Sequence, residues 1–168
     1  MDKRVIMIIA ILIVGLSCMY FIVGNSTTVG NAITTFSKSS VTLPYGFSVE
    51  ETNAESAELH NKQTDERINI DDHGKGDHVK ENFDNLTRNY NSNPDYSDVK
   101  DTSKKINDIE VKQLTMQTND TITSCSVFYH YNRTYIVEMI GFEDIDKMND
   151  DLEFIIKTLQ PDYKQAQD

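Results

Sequence analysis

The sequence is short of positive charge. Lysine and arginine number 16 against 27 aspartates and glutamates, a net charge of −11 over 168 residues. Asp2, Lys3 and Arg4 contribute +1, so everything after them carries −12. A field of that sign repels phosphate backbones, and no basic stripe interrupts it, so nucleic acid is excluded as a partner. Cysteine is as scarce. Cys18 lies in an apolar run and Cys125 in a strand-like segment far down the chain. A disulfide needs Cα atoms roughly 4.4–6.8 Å apart, and none is expected between these two. A domain with a core of its own does not need one. Catalytic signatures are missing too: there is no Gly-x-Ser-x-Gly, His-Glu-x-x-His, phosphate loop or dinucleotide fingerprint. Cys125 and His130 stand five apart in one predicted strand, so they face opposite sides of the sheet about 17 Å apart and form no dyad. Neither an enzyme nor a cofactor is expected.

What the sequence does have is one long apolar run. Residues 5–24 contain no charge, and 12 of these 20 are Ile, Leu, Val or Phe. A helix of that length spans about 30 Å, the thickness of a hydrocarbon core. Its insertion is worth roughly −4 to −7 kcal/mol on a per-residue scale. A cleaved signal would be shorter and followed by a small-x-small site. A lipoprotein would carry a leucine-like residue three before its cysteine, where Gly15 stands before Cys18. The expectation is an uncleaved signal anchor with Cys18 as one more small residue in the helix. Lys3 and Arg4 lie on the short side, which places the amino terminus in the cytoplasm and the remainder outside. The sequons at Asn25, Asn85, Asn119 and Asn132 agree with that side.

Beyond a cytoplasmic stub (1–4) and the anchor, residues 25–40 are rich in Ser, Thr, Asn and Gly and read as a flexible spacer. The alternative is a first strand around residues 32–36. The folded part then runs over 41–161, with a tail at 162–168. Residues 41–43 and 47–51 alternate apolar and polar around a Pro44-Tyr45-Gly46 turn, and 57–61 and 67–71 are short strands. Val79, Phe83, Leu86 and Tyr90 put a helix over 76–91, with Asp77 as its cap. A weaker strand over 98–104 precedes three more at 109–117, 121–131 and 133–142, the last two joined at an Asn132-Arg133 corner. Ile145, Met148, Leu152, Ile155, Ile156 and Leu159 form the stripe of a final helix opened by Asp144 and stopped by Pro161. The predicted class is α+β, an antiparallel sheet packed by two helices after one amino-terminal transmembrane helix.

The opening LPYGF, the mid-chain helix, the meander carrying YHYNRTYIVEMIGF and a last helix ending FIIKTLQP resemble the PsbP-type α/β/α sandwich. More narrowly, the pattern is similar to short membrane-tethered surface proteins of methanogenic archaea. The resemblance covers residues 41–161 and implies a domain that binds or scaffolds other proteins, with no catalytic residues to carry over.

Three groups of side chains carry candidate chemistry. Asp71, Asp72, His73, Asp77, His78 and Glu81, in DDHGKGDHVKE, offer nitrogen and carboxylate ligands to a divalent ion, although Lys75 in their midst opposes one. The other reading of that run is a solvated strand-to-helix loop. The acidic run 143–151 lacks the spacing of a calcium loop and reads instead as charge at a helix start. Tyr129, Tyr131 and Tyr135 are read first as core. Otherwise they form an exposed tyrosine strip at the sheet end that grips a peptide or sugar. The function expected is a membrane-anchored binding or scaffold domain of the cell envelope, its partner an envelope protein or the cell-wall polymer. The alternative is a small-molecule or metal-binding accessory of a membrane complex or transporter.

Overall fold

The computed structural model describes residues 33–118 and 120–161. The expected anchor at 5–24, the stub, the tail, and the sequons at Asn25 and Asn119 lie outside the described residues. Among the described residues, no helix is long and apolar enough to cross a membrane.

Seven strands form one antiparallel sheet, in the order β3-β4-β5-β9-β8-β7-β6. They are β3 (Ser48–Thr52), β4 (Ser56–Asn61), β5 (Glu66–Lys75), β6 (Ser97–Ile106), β7 (Ile109–Thr118), β8 (Thr121–His130) and β9 (Arg133–Phe142). Alternation fixes the register. Ala57 and Leu59 on β4 lie opposite Ile70 and Ile68 on β5, which lie opposite Val137 and Met139 on β9. A slip of one residue in any of these strands would turn that whole apolar set toward water. Strand β8, near the middle of the sheet, is buried on both faces, and its run Thr123–Phe128 has no exposed residue.

The two helices take opposite faces. Helix α1 (Val79–Ser92) lays Phe83, Val79, Leu86 and Tyr90 over Leu114, Met116, Cys125 and Val127 of β7 and β8. Helix α2 (Ile145–Thr158) buries Met148, Leu152, Ile155 and Ile156 in the larger core on the other face, with Phe128, Tyr135, Val137 and Met139. Each of those four side chains contributes about 1.5–3 kcal/mol relative to exposure. Asp144 caps α2 as its sequence position suggests, accepting from the backbone N–H groups of Asp146 and Lys147 at 2.8 and 3.3 Å.

The structure departs from the sequence reading in three places. Part of the expected spacer is folded: β1 (Ile33–Phe36) and β2 (Ser39–Thr42) form a hairpin, and β10 (Gln160–Pro161) joins it through Ser39 and Ser40. Phe36, Val41 and Leu43 enter the larger core there, and the Ser39 hydroxyl lies 2.6 Å from that of Tyr135. A few polar residues between these anchors gave the segment the composition of a linker. The strand expected at 67–71 continues to Lys75 through a bulge containing Gly74, at a φ of 88°. Finally, the β8–β9 turn is Tyr131-Asn132 rather than Asn132-Arg133. Both residues have positive φ, 49° and 62°, as a two-residue primed turn requires.

Candidate functional site

Hairpin geometry determines what gathers at one end of the sheet. The β6–β7 turn, Asn107-Asp108, is of the same positive-φ kind, with Ile106 paired to Ile109 below it. It comes beside the β8–β9 turn and the start of α1. Together they enclose an open cleft of about 550 Å³ lined by Asp77, Val79, Asn107, Asp108, Ile109, Glu110, Tyr129, His130 and Tyr131.

The walls are held from behind. The Thr134 hydroxyl donates to the Gly76 carbonyl at 2.8 Å and accepts from the His78 N–H at 2.9 Å. Gly76 N–H donates to the Asn132 carbonyl at 3.1 Å. These bonds stitch the entry to α1 onto the β8–β9 hairpin. On the hairpin itself, the Tyr129 hydroxyl donates to Asn132 Oδ1 at 2.8 Å, and the His130 and Tyr131 rings lie 3.8 Å apart between centroids. Burial pulls the His130 pKa below its ordinary value, which keeps the ring neutral at pH 7. Asp77 accepts from Val79 N–H at 3.1 Å, close to its expected capping role, although the residue at the cap position is His78.

The tyrosine group divides. Tyr129 and Tyr131 remain 37% and 47% exposed on the cleft. Tyr135 is fully buried and stacks on Phe128, with centroids 5.6 Å apart, so it belongs to the core. The pairing of Phe128 with Tyr135 across β8 and β9 puts both on the α2 face, whereas Tyr129 is one residue out of phase.

The expected metal ligands divide as well. Asp71, Asp72 and His73 line a cavity of about 480 Å³ with Glu55 and Arg133. Asp77, His78 and Glu81 line another of about 490 Å³ along the start of α1. Asp72 is committed: its fully buried carboxylate accepts from Arg133 Nε at 2.6 Å and from Gly74 N–H at 2.9 Å. Burial raises the Asp71 pKa, against the pull of nearby His73. His78 Nε2 lies 3.2 Å from the Lys75 carbonyl. Among the described residues no three His, Cys, Asp or Glu side chains gather in reach of one ion.

Cys125 sits under α1, and burial with nearby Glu138 pushes its thiol up to about 12. A thiol that stays protonated is a poor nucleophile. Glu138 itself is held by the Tyr90 hydroxyl at 2.7 Å and by Asn69 Nδ2 at 3.3 Å. Of the sequons, Asn85 is exposed on α1 and Asn132 is exposed at the cleft turn.

Sequence reasoning missed Asp108 and Glu110. They reach the cleft from a hairpin some twenty residues before Tyr129, and only strand pairing brings the two together. The Asn107-Asp108 dipeptide, flanked by isoleucines, was the available signal for that hairpin.

No protein-family model and no curated protein matches the chain. Among solved structures it is similar to the solution structure of cyanobacterial PsbP (CyanoP) from Synechocystis sp. PCC 6803. The TM-score is 0.49 at 10% identity, over 82% of this chain and 97% of that one. It is also similar to a crystal structure from Bacteroides thetaiotaomicron VPI-5482 at 1.50 Å resolution. There the TM-score is 0.47 at 15% identity, over 74% of this chain and 45% of that one. Likeness at this level says nothing of ligand, activity or partner.

Proposed function

We propose that the chain is a membrane-anchored binding or scaffold domain, held outside the cell by residues 5–24 and working without catalysis. The observation that carries the reading is the cleft at the sheet end. Two tyrosine rings stand half-exposed there, on a turn stitched to the rest of the domain, and no nucleophile–base pair accompanies them. Rigid aromatic rings offer large contact area at a small entropic cost, which suits a recognition surface. The partner is an envelope protein or the cell-wall polymer.

A native mass spectrum of the protein extracted from its own membrane tests this. The expected result is the full chain, with or without glycan steps on Asn85 or Asn132, carrying a bound partner. A chain that begins at a lipid-bearing Cys18, or protein recovered without membrane extraction, would overturn the anchoring.

A further inference from the structure

From the cleft's chemistry we infer that its occupant is an extended, lysine- or arginine-bearing segment of a partner protein. This rests on the cleft being the working surface, and adds which partner chemistry it selects.

The lining carries three carboxylates, Asp77, Asp108 and Glu110, and no lysine or arginine. His130 adds no positive charge at neutral pH. Asp108 has a cation at its rim, Lys105 Nζ at 3.0 Å, but both members of that pair are exposed, 62% and 95%. A pair this exposed is weak and yields readily to a better-placed charge. The aromatic component is separate from the charge. Five large apolar side chains stay exposed among the described residues, and two of them, Tyr129 and Tyr131, stand on this one cleft. The Tyr129 hydroxyl is spent on Asn132, so its ring face is what remains to offer. A cation over a tyrosine face and beside a carboxylate gains from both.

Tyr131 adds a further point. Its φ of 49° is a conformation that asparagine or glycine adopts with less strain, and bulky side chains rarely do. The chain holds a ring there against local preference. A second copy of the chain is a poor occupant, because a net charge of −11 repels itself. An uncharged sugar would use the rings and leave the negative charge of Glu110 and of the exposed Asp108 unmatched.

The test uses the full chain in detergent micelles and an end-labelled peptide, acetyl-Gly-Lys-Gly-Arg-Gly-Lys-Gly-amide, followed by fluorescence anisotropy. The same peptide with its lysines acetylated and its arginine replaced by citrulline is the control. Tyr131→Asn is the informative variant, because it removes the ring, keeps the charge and fits the turn. Binding of the basic peptide is expected to weaken about tenfold in Tyr131→Asn, equal to 1.4 kcal/mol. It should weaken about threefold in Glu110→Gln, and the control peptide should not bind. Equal binding to native protein and Tyr131→Asn would mean diffuse attraction to an acidic surface, and would overturn the inference. So would binding of the control peptide. If the basic peptide fails while Tyr131→Asn still strips a partner from the native membrane complex, the cleft reading stands and the basic segment falls. If Tyr131→Asn changes neither, both fall.

Discussion

The ion pair between Asp72 and Arg133 makes the most demanding energetic prediction. The Asp72 side chain is fully buried and that of Arg133 is 15% exposed. The contact is 2.6 Å from Nε to the carboxylate, and the other carboxylate oxygen is taken by Gly74 N–H at 2.9 Å. Opposite charges with centres about 4 Å apart interact by about 4 kcal/mol at an effective dielectric of 20. The pair as a whole gains little over an apolar replacement, because both charges were taken out of water. Breaking it from one side is different. Arg133→Met keeps the aliphatic stem but strands a buried carboxylate, and should cost about 3–5 kcal/mol. Asp72→Asn removes the charge and retains an acceptor for Gly74, and should cost less than that. In the double variant the stranded charge is gone, so the costs should fall short of their sum by about 2 kcal/mol or more. Urea unfolding followed by circular dichroism reads this as shifts in midpoint at unchanged slope. A loss below about 1 kcal/mol for Arg133→Met, or additive costs, would refute the assignment of a structural ion pair here.

Three further outcomes follow from buried polar groups. Lys147 Nζ bridges Glu66 and Asp151 at 2.8 and 2.9 Å and lies over the Phe47 and Phe142 rings; Lys147→Met should lose about 2 kcal/mol in urea unfolding, less than a fully buried pair because the lysine is part-exposed. The Cys125 thiol, raised to about 12 in the folded protein from an ordinary 9.0, should resist iodoacetamide at pH 8 until the protein is unfolded. Because that pKa is raised, its stabilising contribution is complete below pH 9 and is lost as pH rises from 9 towards 12. The loss is about 1.4 kcal/mol per pH unit, and the pH profile of Cys125→Ala should be flatter by that slope. The buried hydroxyl of Ser126 has no hydrogen-bond partner among the described residues, so Ser126→Ala should be neutral or stabilise by up to about 1 kcal/mol in the same unfolding assay.

The elements legible in the sequence were those whose signals were local and agreed with one another. Helix α2 has a cap at Asp144, a four-turn apolar stripe and a proline after it, and the structure forms it over Ile145–Thr158. Helix α1 and strands β7 to β9 were legible by period alone, the strands to within a residue of their ends and the helix to within three. The first hairpin was legible only as the alternative of a strand at 32–36, because its partners include Gln160 and Pro161 at the far end of the chain. Composition around it resembled a linker, and only Phe36, Val41 and Leu43 hinted at burial. The β8–β9 turn was set one residue late because tyrosine at a left-handed position runs against the preferences that make turns readable. Among the described residues the metal candidates do not gather on one ion: Asp71 to His73 and Asp77, His78 and Glu81 line separate cavities, and Asp72 is spent on Arg133 and Gly74. Of the nine cleft residues, the sequence singles out Tyr129 and Tyr131, as core first and as an exposed strip second, and Asp77 as a cap or metal ligand. Asp108 and Glu110 come there only through the pairing of four strands.

The central claim is that the cleft at the sheet end is where this domain meets its partner. Affinity purification of the tagged full chain from its own membrane, beside Tyr131→Asn and Tyr45→Ala, tests it most directly. Tyr45 is 77% exposed but does not line the cleft, so it controls for loss of an exposed ring in general. A stoichiometric partner retained by the native chain and by Tyr45→Ala, and lost from Tyr131→Asn, is the predicted result. A partner held equally by all three, or lost only from Tyr45→Ala, would place the working surface elsewhere and contradict the account.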